Sequence, residues 1–352
     1  MELATLGWNS FFESGFQPLA KSGYSVGRVT EAHKNLYRIL TEQGELLGKM
    51  SGKMRHENVS GEDFPAAGDW VVLQERTEEG TATIQAILPR FSKFSRKVAG
   101  KATREQVLAA NIDTAFLVSA LNNDFSIRRM ERYLAVAQES GAEPVVLLNK
   151  ADLLEPDLLA EKMSEAQKIA PGVPVYAVSA LTKLGQRDIE SYLKQGKTAV
   201  FLGSSGVGKS ALINSLFGSE EQKTGETRQR DDSGRHTTVF QKLIILPGRG
   251  MVIDTPGLRE LQLWEVETGL SEVFQDIEDL AAGCRFRDCS HESEPGCAVK
   301  EAIVRGTLNP ERLESYLKLQ KELAFTADRK EYLDKKNEIA RHISQINKAT
   351  RK

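Results

Sequence analysis

The chain begins with an apolar stretch around Trp8, Phe11, Phe12 and Phe16 and then turns to short runs that are β-branched or alternate apolar with polar. Five such runs, Tyr24–Thr30, Asn35–Thr41, Glu45–Lys53, Asp69–Arg76 and Thr81–Leu88, are separated by Gly, Asn, Gln or Pro, the punctuation of a small antiparallel unit. Five short strands suit an OB-type barrel, a fold that often binds oligonucleotides, and a different small barrel fits nearly as well. Beyond it the pattern changes. Buried-strand runs at Asn111–Ser119, Pro144–Leu148, Val173–Val178 and Lys197–Leu202 alternate with helix-spaced segments at Arg128–Ser140, Arg187–Lys194 and Ser210–Phe217. That alternation predicts an α/β domain with a parallel sheet. A polar stretch, Gly218–Arg235, is too hydrophilic to pack, and a strand pair, Thr238–Leu246 and Gly250–Ile253, follows it. The C-terminal part reads as helical over Leu270–Leu280 and from Asn309, a plausible N-cap before Pro310, to about Phe325. The expected division is an OB-fold with a basic linker over 1–100, an α/β nucleotide domain over 101–262, and a helical domain with a basic tail over 263–352.

A length of 352 residues is long for one core and agrees with several domains. The net charge of −2 excludes a uniformly basic nucleic-acid binder but leaves room for local patches. One is Arg90–Arg104, which holds six Lys or Arg, no acid and two phenylalanines, Phe91 and Phe94. Cations for phosphates with aromatics for stacking is a composition suited to RNA. The plainer reading is a solvated linker whose phenylalanines tuck into the barrel. No run approaches a membrane span. The start, Met1–Trp8, lacks the basic and apolar regions of a signal peptide. All three cysteines lie between Cys284 and Cys297, which argues against a disulfide framework. The expectation is a cytoplasmic protein with no membrane partner, acting as a monomer.

The sharpest motif is Gly203-Ser204-Ser205-Gly206-Val207-Gly208-Lys209-Ser210, continuing into Ala211. It reads G-x-x-x-x-G-K-S between a strand and a helix, the arrangement that aims backbone N–H groups and a helix N-terminus at phosphate oxygens. Glycines let the backbone curl around the anion, Lys209 places a point charge at the outer phosphates, and the Ser210 hydroxyl is a magnesium ligand.

Upstream, the strand at Pro144–Leu148 ends in Asn149-Lys150-Ala151-Asp152, an N-K-x-D. A carboxylate at Asp152 accepts both N–H donors on the Watson–Crick edge of guanine, which adenine does not present. Asn149 meets the other edge, and the Lys150 stem packs along the base plane. The strand at Val173–Val178 ends in Ser179-Ala180, whose amides suit the guanine carbonyl. Downstream of the phosphate loop come Arg235-His236-Thr237-Thr238 and Asp254-Thr255-Pro256-Gly257. Thr238 and Asp254 are expected in the magnesium shell, and the Gly257 amide on the γ-phosphate. The order is inverted relative to conventional GTPases, with base reading first and phosphate binding last. A circular permutation joined at the turn after Lys194 and opened beyond Gly257 accounts for this. A small-molecule kinase would use a phosphate loop but has no need of N-K-x-D.

The spacing Cys284-x4-Cys289-x-His291-x5-Cys297 gathers three thiols and an imidazole, a complete tetrahedral zinc shell of the structural kind. Arg285, Arg287 and Lys300 lie near it, while Glu292 and Glu294 argue against a purely RNA-facing loop.

The permuted motif order, the barrel before it and the Cys/His cluster after it resemble the bacterial ribosome-assembly GTPases of the RsgA (YjeQ/YloQ) family over essentially the whole chain. The resemblance implies a GTP hydrolase that binds GTP and GDP with Mg2+, carries one structural Zn2+, and docks on the small (30S) ribosomal subunit and its 16S rRNA late in maturation. It implies hydrolysis stimulated by the subunit and coupled to release. The cluster matches the family's zinc motif residue by residue. After D-x-x-G, where many GTPases carry a water-orienting glutamine, this chain has Leu258. His236 is the local candidate for that catalytic role, and the family carries a histidine there too. Because Leu258 cannot orient water, a nucleotide-gated rRNA-binding scaffold with negligible hydrolysis is the alternative.

Overall fold

A computed structural model of the chain describes residues 1–33, 35–57, 64–98, 104–122, 125–217, 241–254 and 267–324. Two compact units emerge, Met1–Ser95 with Gln106–Leu261 and Arg96–Glu105 with Gln262–Lys352.

The first unit opens with a 3-10 turn, Leu3–Leu6, and helix α1, Ser10–Phe16, whose first amides are capped by the Asn9 side chain. Strands β1 (Ser25–Ala32), β2 (Tyr37–Thr41) and β3 (Gly44–Met50) form a meander. A short helix α2, Gly52–Glu57, follows where a strand had been expected to run on to Lys53. Strands β4 (Trp70–Arg76) and β5 (Thr81–Ile87) complete the unit. The order β1-β2-β3-β5-β4, with β4 returning to β1, closes the five-stranded barrel that the sequence predicts. Its interior is Val29, Ile39, Leu46, Val71, Leu73 and Ile84, the inward positions of the alternating runs. Gly27 and Gly48 both face Ile39 so closely that a methyl group on either would collide with it.

The basic segment is more ordered than a linker. It forms β6 (Lys93–Val98), which pairs with β7 (Arg104–Ala110). Phe94 is buried, and Phe91 packs against Phe11 and Phe12 at ring separations of 6.1 and 6.0 Å. Arg90 grips the buried Asp69 through two bonds of 2.7 Å. Phe94 therefore tucks into the core, as the plainer reading of this segment expects, whereas Phe91 keeps 37% of its surface exposed beside its aromatic neighbours.

The nucleotide fold runs β8 (Thr114–Ala120), α3 (Ile127–Ser140), β9 (Glu143–Asn149), α4 (Pro156–Ile169), β10 (Val175–Val178), α5 (Gln186–Tyr192), β11 (Thr198–Leu202), α6 (Lys209–Leu216), β12 (Lys242–Ile245) and β13 (Met251–Asp254). Ser126 caps α3 and Gly141, at φ 82°, ends it. Helix α4 has no counterpart in the pattern reading, because only Ala166 and Ile169 of it are buried. The sheet order is β10-β9-β8-β11-β13-β12, parallel except for β12.

Barrel and nucleotide sheet are continuous. β1 pairs with β12 at Glu31 and Lys242, whose side chains also meet at 2.7 Å. Beside this seam lies Arg28, 2% exposed, which donates to the carbonyls of Leu6, Gly68 and Asn111 and sits over the Trp70 ring. Burial lowers its pKa to about 10 against the attraction of Asp113 and Asp69, so it remains a cation at neutral pH. The turn Leu3–Leu6 seats here as well: Gly7, at φ 91°, lies against the Gly196 carbonyl, in the turn that joins the base-reading and phosphate-binding halves.

The second unit contains α7 (Glu267–Val273), α8 (Gln275–Ala281), α9 (Ala298–Val304) and a helix α10 over 310–324. The single helix expected over Leu270–Leu280 is broken at Phe274, whose φ of −109° and ψ of 32° leave the helical region. Burial of that ring against Tyr316, with Arg312 above it at 4.8 Å, explains the break.

Candidate functional site

In a parallel sheet the carboxyl ends of the strands share one edge, where ligands are received. Here β9 ends at Asn149, β10 just before Ser179, β11 just before Gly203 and β13 at Asp254. Register aligns them: Val178 lies opposite Asn149, Ala120 opposite Asn149, and Val200 opposite Ile253. Elements dispersed and reordered along the chain therefore converge.

The phosphate loop bridges β11 and α6. Gly203, at φ 151°, rests on the Val118 carbonyl so closely that no side chain fits. Val207 is buried and anchors the loop in the core, while Ser205 and Gly206 are exposed. Gly208, at φ 98°, opens α6, and its carbonyl accepts the Leu212 amide at 2.9 Å. The Lys209 ammonium donates to the Gly203 and Ser204 carbonyls at 2.6 and 2.7 Å. Ser210 is exposed on the first turn.

The base-reading loop is tied directly to this loop. Asn149 is 2% exposed, and its Nδ2 donates to the Val207 carbonyl at 2.7 Å. Its Oδ1 has no hydrogen-bond partner among the described residues. Lys150 takes the left-handed conformation, φ 64°, and reaches the Gly206 carbonyl at 3.1 Å. Asp152 follows in the 3-10 turn Ala151–Leu153. The Ser179 hydroxyl accepts the amides of Leu181 and Thr182, which shapes the third loop.

Together these loops enclose an open cleft of about 390 Å3, lined by Asn149, Lys150 and Asp152, by Ser179 and Ala180, and by Gly208 and Ala211. That volume falls within the 300–1,000 Å3 common for small-molecule sites. Leu153 and Leu181, 62% and 84% exposed, form an apolar rim that no motif announced. Arg129 of α3 also reaches the phosphate loop, donating to Ser204 Oγ at 2.8 Å, and nothing in the sequence pattern marked it. His236, Thr238, Gly257 and Leu258 lie outside the described residues.

In the second unit the Cys/His set comes together, with all four ligand atoms within 4.8 Å of one another. Cys284 Sγ lies 3.9 Å from Cys297 Sγ and 3.7 Å from His291 Nδ1, and His291 Nδ1 lies 3.4 Å from Cys297 Sγ. Metal bonds of about 2.3 Å to sulfur and 2.0 Å to nitrogen place tetrahedral ligands roughly 3.6–3.8 Å apart, so the set fits such an ion. The start of α9 turns amides toward the sulfurs, Lys300 N toward Cys297. Burial opposes ionisation of the Cys284 thiol, but the Val299 and Ala298 amides outweigh it and hold the pKa below its ordinary value. The Glu294 carboxylate accepts from Ser290, Glu292 and Ser293 and fixes the intervening loop.

Comparison with known proteins agrees with this layout. The family model described as RsgA GTPase matches residues 87–264, and one described as 50S ribosome-binding GTPase matches residues 198–349. The small ribosomal subunit biogenesis GTPase RsgA of Opitutus terrae is 46% identical over 338 residues, covering 94% of this chain and 92% of the relative. Its counterpart from Methanosarcina acetivorans is 41% identical, covering 98% and 94%. Among solved structures, YjeQ from Thermotoga maritima superposes with a TM-score of 0.63 at 29% identity, over 86% of this chain and 99% of that one. YloQ, described as a circularly permuted GTPase, gives 0.60 at 27% identity over 87% and 96%.

Proposed function

The chain belongs to the RsgA family of small ribosomal subunit biogenesis GTPases, and from that premise we propose that it docks on the 16S rRNA of the small subunit and couples GTP hydrolysis to release. It is a GTP hydrolase with a permuted nucleotide domain. The observation that carries the site assignment is the single cleft in which Asn149, Asp152 and Ser179 face Gly208 and Ala211. Base and phosphate recognition meet there in one pocket.

In this reading the Asp152 carboxylate accepts from the guanine edge, and the buried Asn149 Oδ1, with no partner among the described residues, supplies a further polar contact. The amides of Ser205 to Ala211 cradle the phosphates, and Lys209 exchanges its loop carbonyls for phosphate oxygens. Ser210 and Asp254, with Thr238, are the residues that would hold Mg2+, which neutralises charge on the outer phosphates when bound. Gly257 serves the γ-phosphate and His236 positions water. The donor chemistry of Cys284, Cys289, His291 and Cys297 favours Zn2+ in a closed, structural site. No helix among the described residues is long and apolar enough to cross a membrane, and the proposed location is the cytoplasm, as a monomer.

Phosphate release with and without purified small subunits tests the activity, and His236→Ala should abolish the stimulated part while leaving GTP binding. Leu258 favours the second reading, a nucleotide-gated rRNA-binding scaffold. Release equally slow with and without subunits would establish it.

A further inference from the structure

Among the described residues, four contacts tie the phosphate loop to other parts of the chain, and motif residues make three of them. Gly203 is seated on the Val118 carbonyl, Asn149 holds Val207, and Lys150 holds Gly206. The fourth comes from outside every motif. The Arg129 guanidinium donates to Ser204 Oγ at 2.8 Å, while the Ser204 carbonyl accepts Lys209 at 2.7 Å. Residue 204 is thus gripped by one cation through its side chain and by another through its backbone. Arg129 stands on the first turn of a 14-residue helix, capped by Ser126 and anchored by buried Met130, Tyr133 and Leu134, so it reaches the loop from a rigid base.

From this geometry we infer that Arg129 is a positioning residue for the nucleotide. Acting through Ser204, it fixes the N-terminal half of the phosphate loop in the curl that presents amides to a diphosphate. Freed from this contact, residues 204–206 would be held more loosely, by Lys209 on the Ser204 carbonyl and Lys150 on the Gly206 carbonyl, with Ser205 and Gly206 exposed. Binding a diphosphate or triphosphate would then have to reorder them. A monophosphate, which makes fewer loop contacts, would lose little. The guanidinium also suits the task because its planar fork loses little freedom for each bond it forms.

The inference rests on the GTP-binding reading. The test measures the affinities of wild type, Arg129→Ala, Ser204→Ala and the double variant for GTP, GDP, GMP and ADP by competition against a fluorescent GDP analogue. Arg129 and Ser204 are both partly exposed, so the variants should fold, and melting curves without nucleotide check this. Each single variant should weaken GTP and GDP roughly tenfold and GMP less than twofold. The double variant should be no weaker than the weaker single one, because both remove the same contact. Unchanged GDP affinity in Arg129→Ala, an equal loss for GMP, or additive losses in the double variant would each overturn the inference. Wild type that binds ADP as well as GDP would remove the GTP-binding reading itself, an outcome visible in the wild-type arm alone.

Discussion

The nucleotide cleft takes its walls from three loops far apart along the chain, at Asn149, Ser179 and Gly208, whereas the four sulfur and nitrogen donors of the second unit all fall between Cys284 and Cys297. The first is a product of sheet order. The neighbours β10-β9-β8-β11-β13-β12 are preserved although the chain visits them in a permuted sequence. The second is a product of spacing, with a left-handed His291 at φ 58° and a loop tied by Glu294. A site made by topology survives rearrangement of the chain, and one made by spacing survives only if nothing is inserted. The first also leans on a large core, while the second stands in a smaller helical unit.

The sharpest way to break the comparison is to remove the metal. Chelation, or Cys297→Ser, should unfold the small unit, since a structural zinc contributes apparent binding energies of about 10 kcal/mol or more. The nucleotide cleft should still bind GDP, and hydrogen exchange resolved by segment would read both outcomes. Loss of GDP binding on chelation would mean the two sites are one cooperative structure.

Next is Asp152→Ala, which in the proposed guanine pose removes two charge-assisted bonds of roughly 1.5–3 kcal/mol each. GTP affinity should fall about a hundredfold or more by calorimetry, with melting almost unchanged. Smaller still is Gly208→Ala. At φ 98° a methyl group would be driven into Asn149 Nδ2 and pry the base loop from the phosphate loop. GDP affinity should drop roughly tenfold, since one inter-loop bond is lost and the backbone is strained.

The smallest effect is expected at the seam. Burial raises the Glu31 pKa, but bonds from Lys242 and His33 and the nearby Arg38 bring it below its ordinary 4.5. A lowered carboxylate pKa contributes stability that is present above pH 4.5 and lost as pH falls through the folded value. Glu31→Gln should therefore cost under about 1 kcal/mol at pH 7, because Lys242 is largely exposed, and nothing in strong acid. Urea melts at both pH values would show it.

Much of this was legible in the chain. The barrel strands, the phosphate loop and N-K-x-D announce themselves because local backbone chemistry dictates their residues: a side chain at Gly203 would meet the Val118 carbonyl and one at Gly208 the Asn149 amide, and Asn149 ties one loop to the other. Contacts between distant surfaces were not legible. Arg129 looked like one more basic residue on a helix, and only the placement of α3 beside Ser204 gives it a role. Phe91 and Phe94 could not be told apart because exposure cannot be inferred from composition; only the fold buries Phe94 and leaves Phe91 partly open beside Phe11 and Phe12. The break at Phe274 was hidden for the same reason, since burial against Tyr316 overrode a helical pattern.

The pairing of β1 with β12 has a further consequence. β12 is one of the two outer strands of the nucleotide sheet, β10 being the other, and a bare outer strand is a template for pairing with other chains. The barrel occupies that flank through β1 and so covers one of the two edges of the nucleotide sheet. A fragment cut free of its barrel should keep its guanine pocket and yet aggregate.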